Sequence, residues 1–157
     1  MMYSKYLRNK LVDAALRGGT ITFPTTYYVG LLVSEPTAND VVQEIGNTNA
    51  NGYARQAIAA NATNFAATNG AGTTTSPSTG TTAISSNNVA IPFPNPSGGF
   101  WAYGSPTNPS DIKYIGLFDA LTAGNLWMYI PITPKTIAAS DYNPTIPAQA
   151  LVFTFDA

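Results

Sequence analysis

Apolar residues first recur at helical spacing. Leu7, Leu11, Ala14 and Ala15 share one face, which predicts an amphipathic helix over about residues 4–17. Ser4 stands where an N-cap belongs, and Gly18 and Gly19 stop the helix. Beyond it the pattern changes to strands. Thr25 to Val33 is aromatic and β-branched, with apolar residues on both alternate faces, as in a central strand covered on both sides. Ser34 to Asn51 is a long polar connection, and Tyr53 to Ala59 reads as another strand. Ala90 to Phe93 resumes an apolar run, but Pro92, Pro94 and Pro96 confine it to an edge or to extended chain. Ile112 to Asp119 and Leu126 to Ile132 read as a hairpin around the turn Leu121 to Asn125. Asp141 to Pro147 is a loop, and Leu151 to Phe155 is the last strand.

Two stretches break this alternation. Residues 60–88 form a low-complexity tract of Ala, Thr, Asn, Ser and Gly, which predicts a flexible loop or extended arm. Ser97 to Pro109 is a Gly- and Pro-punctuated loop carrying Phe100, Trp101 and Tyr103. There is also an echo. Tyr28-Val29-Gly30-Leu31-Leu32 matches Tyr114-Ile115-Gly116-Leu117-Phe118 in pattern. Either the strands lie side by side, each aromatic ring over the neighbour's glycine, or a Gly- and Tyr-rich chain repeats by chance.

The elements predict a mainly β protein of about six or seven strands, a sandwich or small barrel with one N-terminal helix and long loops. Its 157 residues suit a single β-rich domain spanning 1–157.

Charge alters the picture. Only 10% of residues are charged, against the usual ~25%. A surface so neutral suits a protein that stays docked on a large assembly. The net charge of −1 argues against a nucleic-acid partner, which needs a clustered basic surface. Four of the seven basic residues, Lys5, Arg8, Lys10 and Arg17, fall on the predicted helix. They form either a solvated face or a docking contact for an acidic protein surface. Arg8, Lys10 and Asp13 interrupt any signal-peptide core, and no run approaches the ~18 apolar residues of a membrane span, so no membrane partner is expected.

Chemistry finds little to work with. The chain has no Cys and no His, so disulfides, thiolate or imidazole metal sites and the common nucleophile–base arrangements are out of reach. No Walker A sequence occurs, and Gly70-Ala71-Gly72 does not join a strand to a helix. Asp111 and Asp119 flank one strand, roughly 25 Å apart at ~3.3 Å per residue, too far for a carboxylate pair. Asp119 reads better as a turn residue. Asp40 and Glu44 lie in a loop without the spacing of a calcium site. The expectation is therefore a non-enzyme without metal or cofactor. Two binding candidates remain. Phe100, Trp101 and Tyr103 suit a protein or carbohydrate surface, unless Trp101 caps the core. Arg55, the sole basic residue between Arg17 and Lys113, can bind a partner's carboxylate or pair within the chain with Glu44 or Glu35.

The order of these motifs resembles a family of small virion proteins of tailed phages, often labelled phage tail fiber protein. The resemblance rests on Tyr6-Leu7 through Leu11-Val12-Asp13, the Tyr28–Leu32 strand, Ser34-Glu35-Pro36-Thr37 and Gly52-Tyr53-Ala54-Arg55. It continues through Asn87 to Phe93 before a Trp, Ile115-Gly116-Leu117-Phe118-Asp119-Ala120, Gly124-Asn125-Leu126 and Pro131 to Lys135. It implies a virion structural protein, assembled in the bacterial host cytoplasm. Two roles follow. One is a capsid cement or decoration protein that clamps the major capsid protein, most simply as a trimer or dimer. The alternative is a tail, tail-fibre or baseplate component involved in host attachment. Shortness and the absence of heptads favour cement. Contact residues would then come from Lys5, Arg8, Lys10, Arg55, Phe100, Trp101 and Tyr103.

Overall fold

The computed structural model describes residues 2–46, 51–97, 99–105, 107–138 and 140–155. Part of the polar connection (47–50) and Gly98 and Pro106 of the aromatic loop lie outside them.

The helix forms as its caps dictate. In α1 (Lys5–Leu16) the Ser4 hydroxyl accepts from the Leu7 N–H at 3.0 Å. The Asp40 carboxylate, from a distant loop, accepts from the N–H groups of Lys5 and Tyr6, each at 2.8 Å. Three otherwise orphaned donors of the first turn are thus satisfied, and a negative charge sits at the positive end of the dipole. Gly18 closes the other end in a left-handed conformation (φ 71°). The predicted buried face is nevertheless mostly open: Leu7 is buried, but Leu11 is 37% exposed, Ala14 half-buried and Ala15 exposed.

The main sheet is antiparallel and contains β1 (Met2–Tyr3), β2 (Thr26–Leu32), β3 (Gln56–Ala59), β6 (Ile112–Phe118) and β7 (Leu126–Lys135). Its spatial order is β1-β7-β6-β2-β3. Two small sheets complete the fold. β4 (Ile84–Ser86) pairs with β9 (Val152–Thr154), and β5 (Ile91–Pro92) pairs with β8 (Thr145–Ile146). The protein is mainly β and sandwich-like, with no closed barrel among the described residues.

The sheet's two faces differ. On one, Val29, Leu31, Ile115, Leu117 and Met128 join the large core with Trp101, Trp127, Phe93 and Phe153. On the other, Leu32, Phe118 and Leu126 form a small core beneath Tyr28, Tyr114 and Tyr129. The echoed strands do lie side by side, with Gly30 opposite Gly116. One ring serves both glycines: a Cβ at either position would meet Phe118 Cε2 at 2.8 Å. No side chain fits there while that ring stays.

The low-complexity tract is tied down rather than extended. The Gly80 N–H donates to Thr68 Oγ1 at 3.0 Å, Thr82 Oγ1 donates to the Thr68 carbonyl at 2.9 Å, and Asn69 Nδ2 donates to Thr79 Oγ1 at 2.8 Å. Its end supplies β4, a strand the composition concealed. Next to β4, fully buried Asn87 knits the chain together. Its Nδ2 donates to the carbonyls of Val89 (2.9 Å) and Pro147 (2.8 Å), and its Oδ1 accepts from the Leu151 N–H (2.8 Å). Every polar atom of that side chain is used, as a buried amide requires.

Candidate interface

The Gly-Tyr-x-Arg element enters β3 at one end of the sheet order. Arg55 is only 8% exposed, and its guanidinium is spent inside the chain. Nη2 meets Glu44 Oε2 at 2.7 Å, and Nε donates to Glu44 Oε1 at 2.8 Å, giving a two-pronged ion pair. Nη1 donates to the carbonyls of Ala120 (2.8 Å) and Ala123 (2.7 Å), which pins the β6–β7 turn. The guanidinium carbon lies 3.5 Å from the centre of the Phe118 ring. Tyr53 completes the group, donating its hydroxyl proton to Glu44 Oε1 at 2.7 Å and accepting from the Leu31 N–H at 2.9 Å. Burial, reinforced by the Glu44 charge, pushes the Tyr53 phenol well above its usual range, so it stays a donor. Of the two sequence readings of Arg55, the pair with Glu44 is the one present. Within the subunit the Arg55 charge is already neutralised and covered.

The aromatic segment also turns inward. Trp101 is fully buried, with Nε1 donating to the Asn51 carbonyl at 3.2 Å and rings of Tyr53 and Phe93 at 5.3 and 6.1 Å. It caps the core, with its ring covered on all sides in the subunit. Phe100 and Tyr103 are half-buried. Tyr103 borders an open groove of about 550 Å³ that also touches Glu44, Arg55 and Leu121.

Lys5, Arg8 and Lys10 do lie exposed, on α1. Lys5 Nζ donates to Asn39 Oδ1 at 3.1 Å, Arg8 Nε donates to the Ser4 carbonyl at 3.3 Å, and Lys10 Nζ sits 5.7 Å from the Tyr6 ring centre. These basic residues belong to the β1–β7 end of the sheet and Arg55 to the β3 end, so the seven candidates do not form one patch.

The sequence reading missed two apolar grooves. One, of about 400 Å³, opens between α1, the main sheet and β9, and is lined by Leu7, Leu11, Phe23, Tyr27, Phe153 and Phe155. Phe23 and Phe155 are about half exposed at its rim (50% and 49%). The other, of about 440 Å³, lies between Ile115, Ile132, Ile137 and Leu151. Each set joins segments far apart in the chain, so no local pattern could reveal the groove.

Most carboxylates of the described residues are employed structurally. Asp40 caps α1, Glu44 holds Arg55, and Glu35 accepts from the Tyr129 hydroxyl at 3.4 Å. Burial raises the Asp119 pKa, but hydrogen bonds from the Asn125 side chain and backbone and from Trp127 Nε1 outweigh it, and the net direction is downward. Among the described residues no group of three or more acidic side chains is placed to hold a metal, and no helix is long and apolar enough to cross a membrane.

A β-rich subunit with a neutral surface, inward-turned polar groups and open apolar grooves has the character of a structural component of a larger assembly. Residues 2–154 match the model of the family described as podophage GP4 fiber I protein gp80, and the chain belongs to that family. It is thereby a phage virion structural protein. Comparison with curated proteins gave no match.

Proposed function

We infer that the chain is a subunit of the phage tail-fibre apparatus, which contributes to host attachment by binding and not by chemistry. The observation that carries this reading is the fibre family's match across residues 2–154. The rim of half-exposed Phe23 and Phe155 around an apolar groove supports it, since such surface is costly to leave in water and suits a docked subunit. A capsid clamp would be favoured by a free arm reaching across neighbouring subunits, and residues 60–88 are the stretch whose composition suits one. That tract is hydrogen-bonded to itself, which does not favour a free arm.

The test is copy number in purified virions, measured by quantitative mass spectrometry against the major capsid protein, with immunogold labelling of the same particles. A small copy number with label at the tail is expected. Copies in simple ratio to the capsid protein, with label over the shell, would replace the fibre reading with the cement one. Absence from the particle would overturn both.

A further inference from the structure

The two edges of the main sheet are built differently. On one side β1 covers only Met128 and Tyr129 of β7. The rest of that edge carries exposed Pro131, Pro134 and Lys135. Proline and lysine are the residues that keep a bare strand from pairing with another chain. The opposite edge is β3, Gln56-Ala57-Ile58-Ala59, which has no proline and no charge.

The hydrogen-bond phase of β3 is determined by its partner. The Ala60 N–H donates to the Thr25 carbonyl at 2.9 Å, in the same register that sets Ile58 against Tyr27 and Gln56 against Val29. In an antiparallel pair the bonded positions alternate. Ile58 and Gln56 therefore spend their backbone groups on β2, whereas Ala57 and Ala59 turn theirs outward. The Ala59 carbonyl is taken by Asn64 Nδ2 at 2.9 Å. The N–H and C=O of Ala57 and the N–H of Ala59 remain directed away from the sheet. Beside them Val89 to Pro92 forms the wall of a groove of about 250 Å³.

We propose that β3 is an assembly edge at which a second copy of this chain pairs antiparallel, β3 to β3, about a two-fold axis at Ala57. In that register each Ala57 N–H donates to the other copy's Ala57 carbonyl, and two five-stranded sheets become one. The occupant is a second copy because the edge is complementary to itself. A two-fold axis at Ala57 sets that residue against its own copy, so a charge there would oppose its like. β3 and its groove wall carry no charged residue, and the two outward side chains at its centre, Ala57 and Ala59, are small enough for backbones to meet. The inference does not depend on where in the particle the chain resides.

The test uses the full chain in solution. The protein lacks cysteine, so Ala57→Cys introduces the sole thiol. Sedimentation equilibrium of the unmodified chain is expected to show concentration-dependent dimers. Mild oxidation of Ala57→Cys is expected to trap them as a covalent dimer, while Tyr142→Cys, at a site 81% exposed, gives far less. Ala57→Lys is expected to weaken association at least tenfold while far-UV circular dichroism and the urea midpoint stay those of the parent. A single-chain mass at every concentration would overturn the proposal. So would dimers that survive Ala57→Lys unchanged, or Tyr142→Cys cross-linking as readily as Ala57→Cys. Should the chain alone be monomeric and Ala57→Lys still fail to enter virions, the edge would belong to a different virion protein, and the self-pairing proposal would fall.

Discussion

The two faces of the main sheet solve one packing problem by different means. The large face is covered by aromatic and aliphatic side chains, with Trp101 and Trp127 as its biggest pieces. The small face buries only Leu32, Phe118 and Leu126, and continues into the Arg55–Glu44 ion pair stacked on Phe118. The first face gains stability by area and tolerates modest rearrangement. The second relies on directional bonds, in which each member is needed because the others are buried with it. A buried pair adds little net stability over a hydrophobic replacement, but removing one partner leaves a desolvated charge. The polar face is thus the more brittle, although it buries less.

The largest expected effects test that contrast directly. Arg55→Met strands Glu44 and should cost about 3–5 kcal/mol in urea unfolding. The double variant Arg55→Met/Glu44→Leu should recover much of that loss. If the double variant were no more stable than the single, the brittleness would lie elsewhere. Trp101→Ala on the apolar face should also cost about 3–5 kcal/mol, but by opening a cavity, so Trp101→Phe should recover much of it. No equivalent mild replacement exists at Arg55, since lysine lacks the fork that holds Glu44 and two carbonyls together.

Gly116→Ala comes next, at about 1–3 kcal/mol, because its Cβ would meet Phe118 at 2.8 Å and Leu126 Cδ1 at 3.1 Å. Pairing it with Phe118→Leu should relieve the clash, and a full additive loss would show that the ring is not what excludes the side chain. The smallest effect is at Asp119, where Asn should cost about 1 kcal/mol at neutral pH through weakened bonds to Asn125 and Trp127. Its folded pKa lies below that of a free aspartate, so its contribution is present above the unfolded pKa and lost as pH falls through the folded pKa. Stability of the parent should therefore drop more steeply below about pH 4 than that of Asp119→Asn, and parallel curves would refute the assignment.

Legibility followed the length of each local signal. β2 and β6 are seven-residue apolar runs and emerged within a residue of their bounds. The hairpin partner β7 emerged too, although it extends to Lys135 despite two prolines. β4 and β8 are two or three residues long, too short for any period to register, and only their pairing defines them, whereas β5 and β9 fall inside the apolar runs Ala90 to Phe93 and Leu151 to Phe155. Ser4 was readable as a cap because its bond is local. Asp40, the other cap, was not, because it reaches α1 from 35 residues away. For the candidate interface the exposed basic helix residues were identifiable from spacing. Trp101 and Arg55 were visible as unusual residues, but whether they face a partner or the interior depends on Asn51, Tyr53 and Glu44 arriving beside them.

Composition and periodicity alone determined a β-rich, weakly charged chain with one capped helix, two glycine-centred strands able to pair, and none of the imidazole or thiol groups most catalysis draws on. Those properties are local, written in neighbouring residues and in sums over the chain. The tertiary structure alone decided which polar groups are hidden and which edge is bare. The Asn87 amide, the Arg55 fork and the outward backbone of Ala57 each owe their state to segments distant in sequence. A hydrogen-bonding group is spent or free according to what lies within about 3 Å of it, and that neighbourhood exists only once the chain has folded.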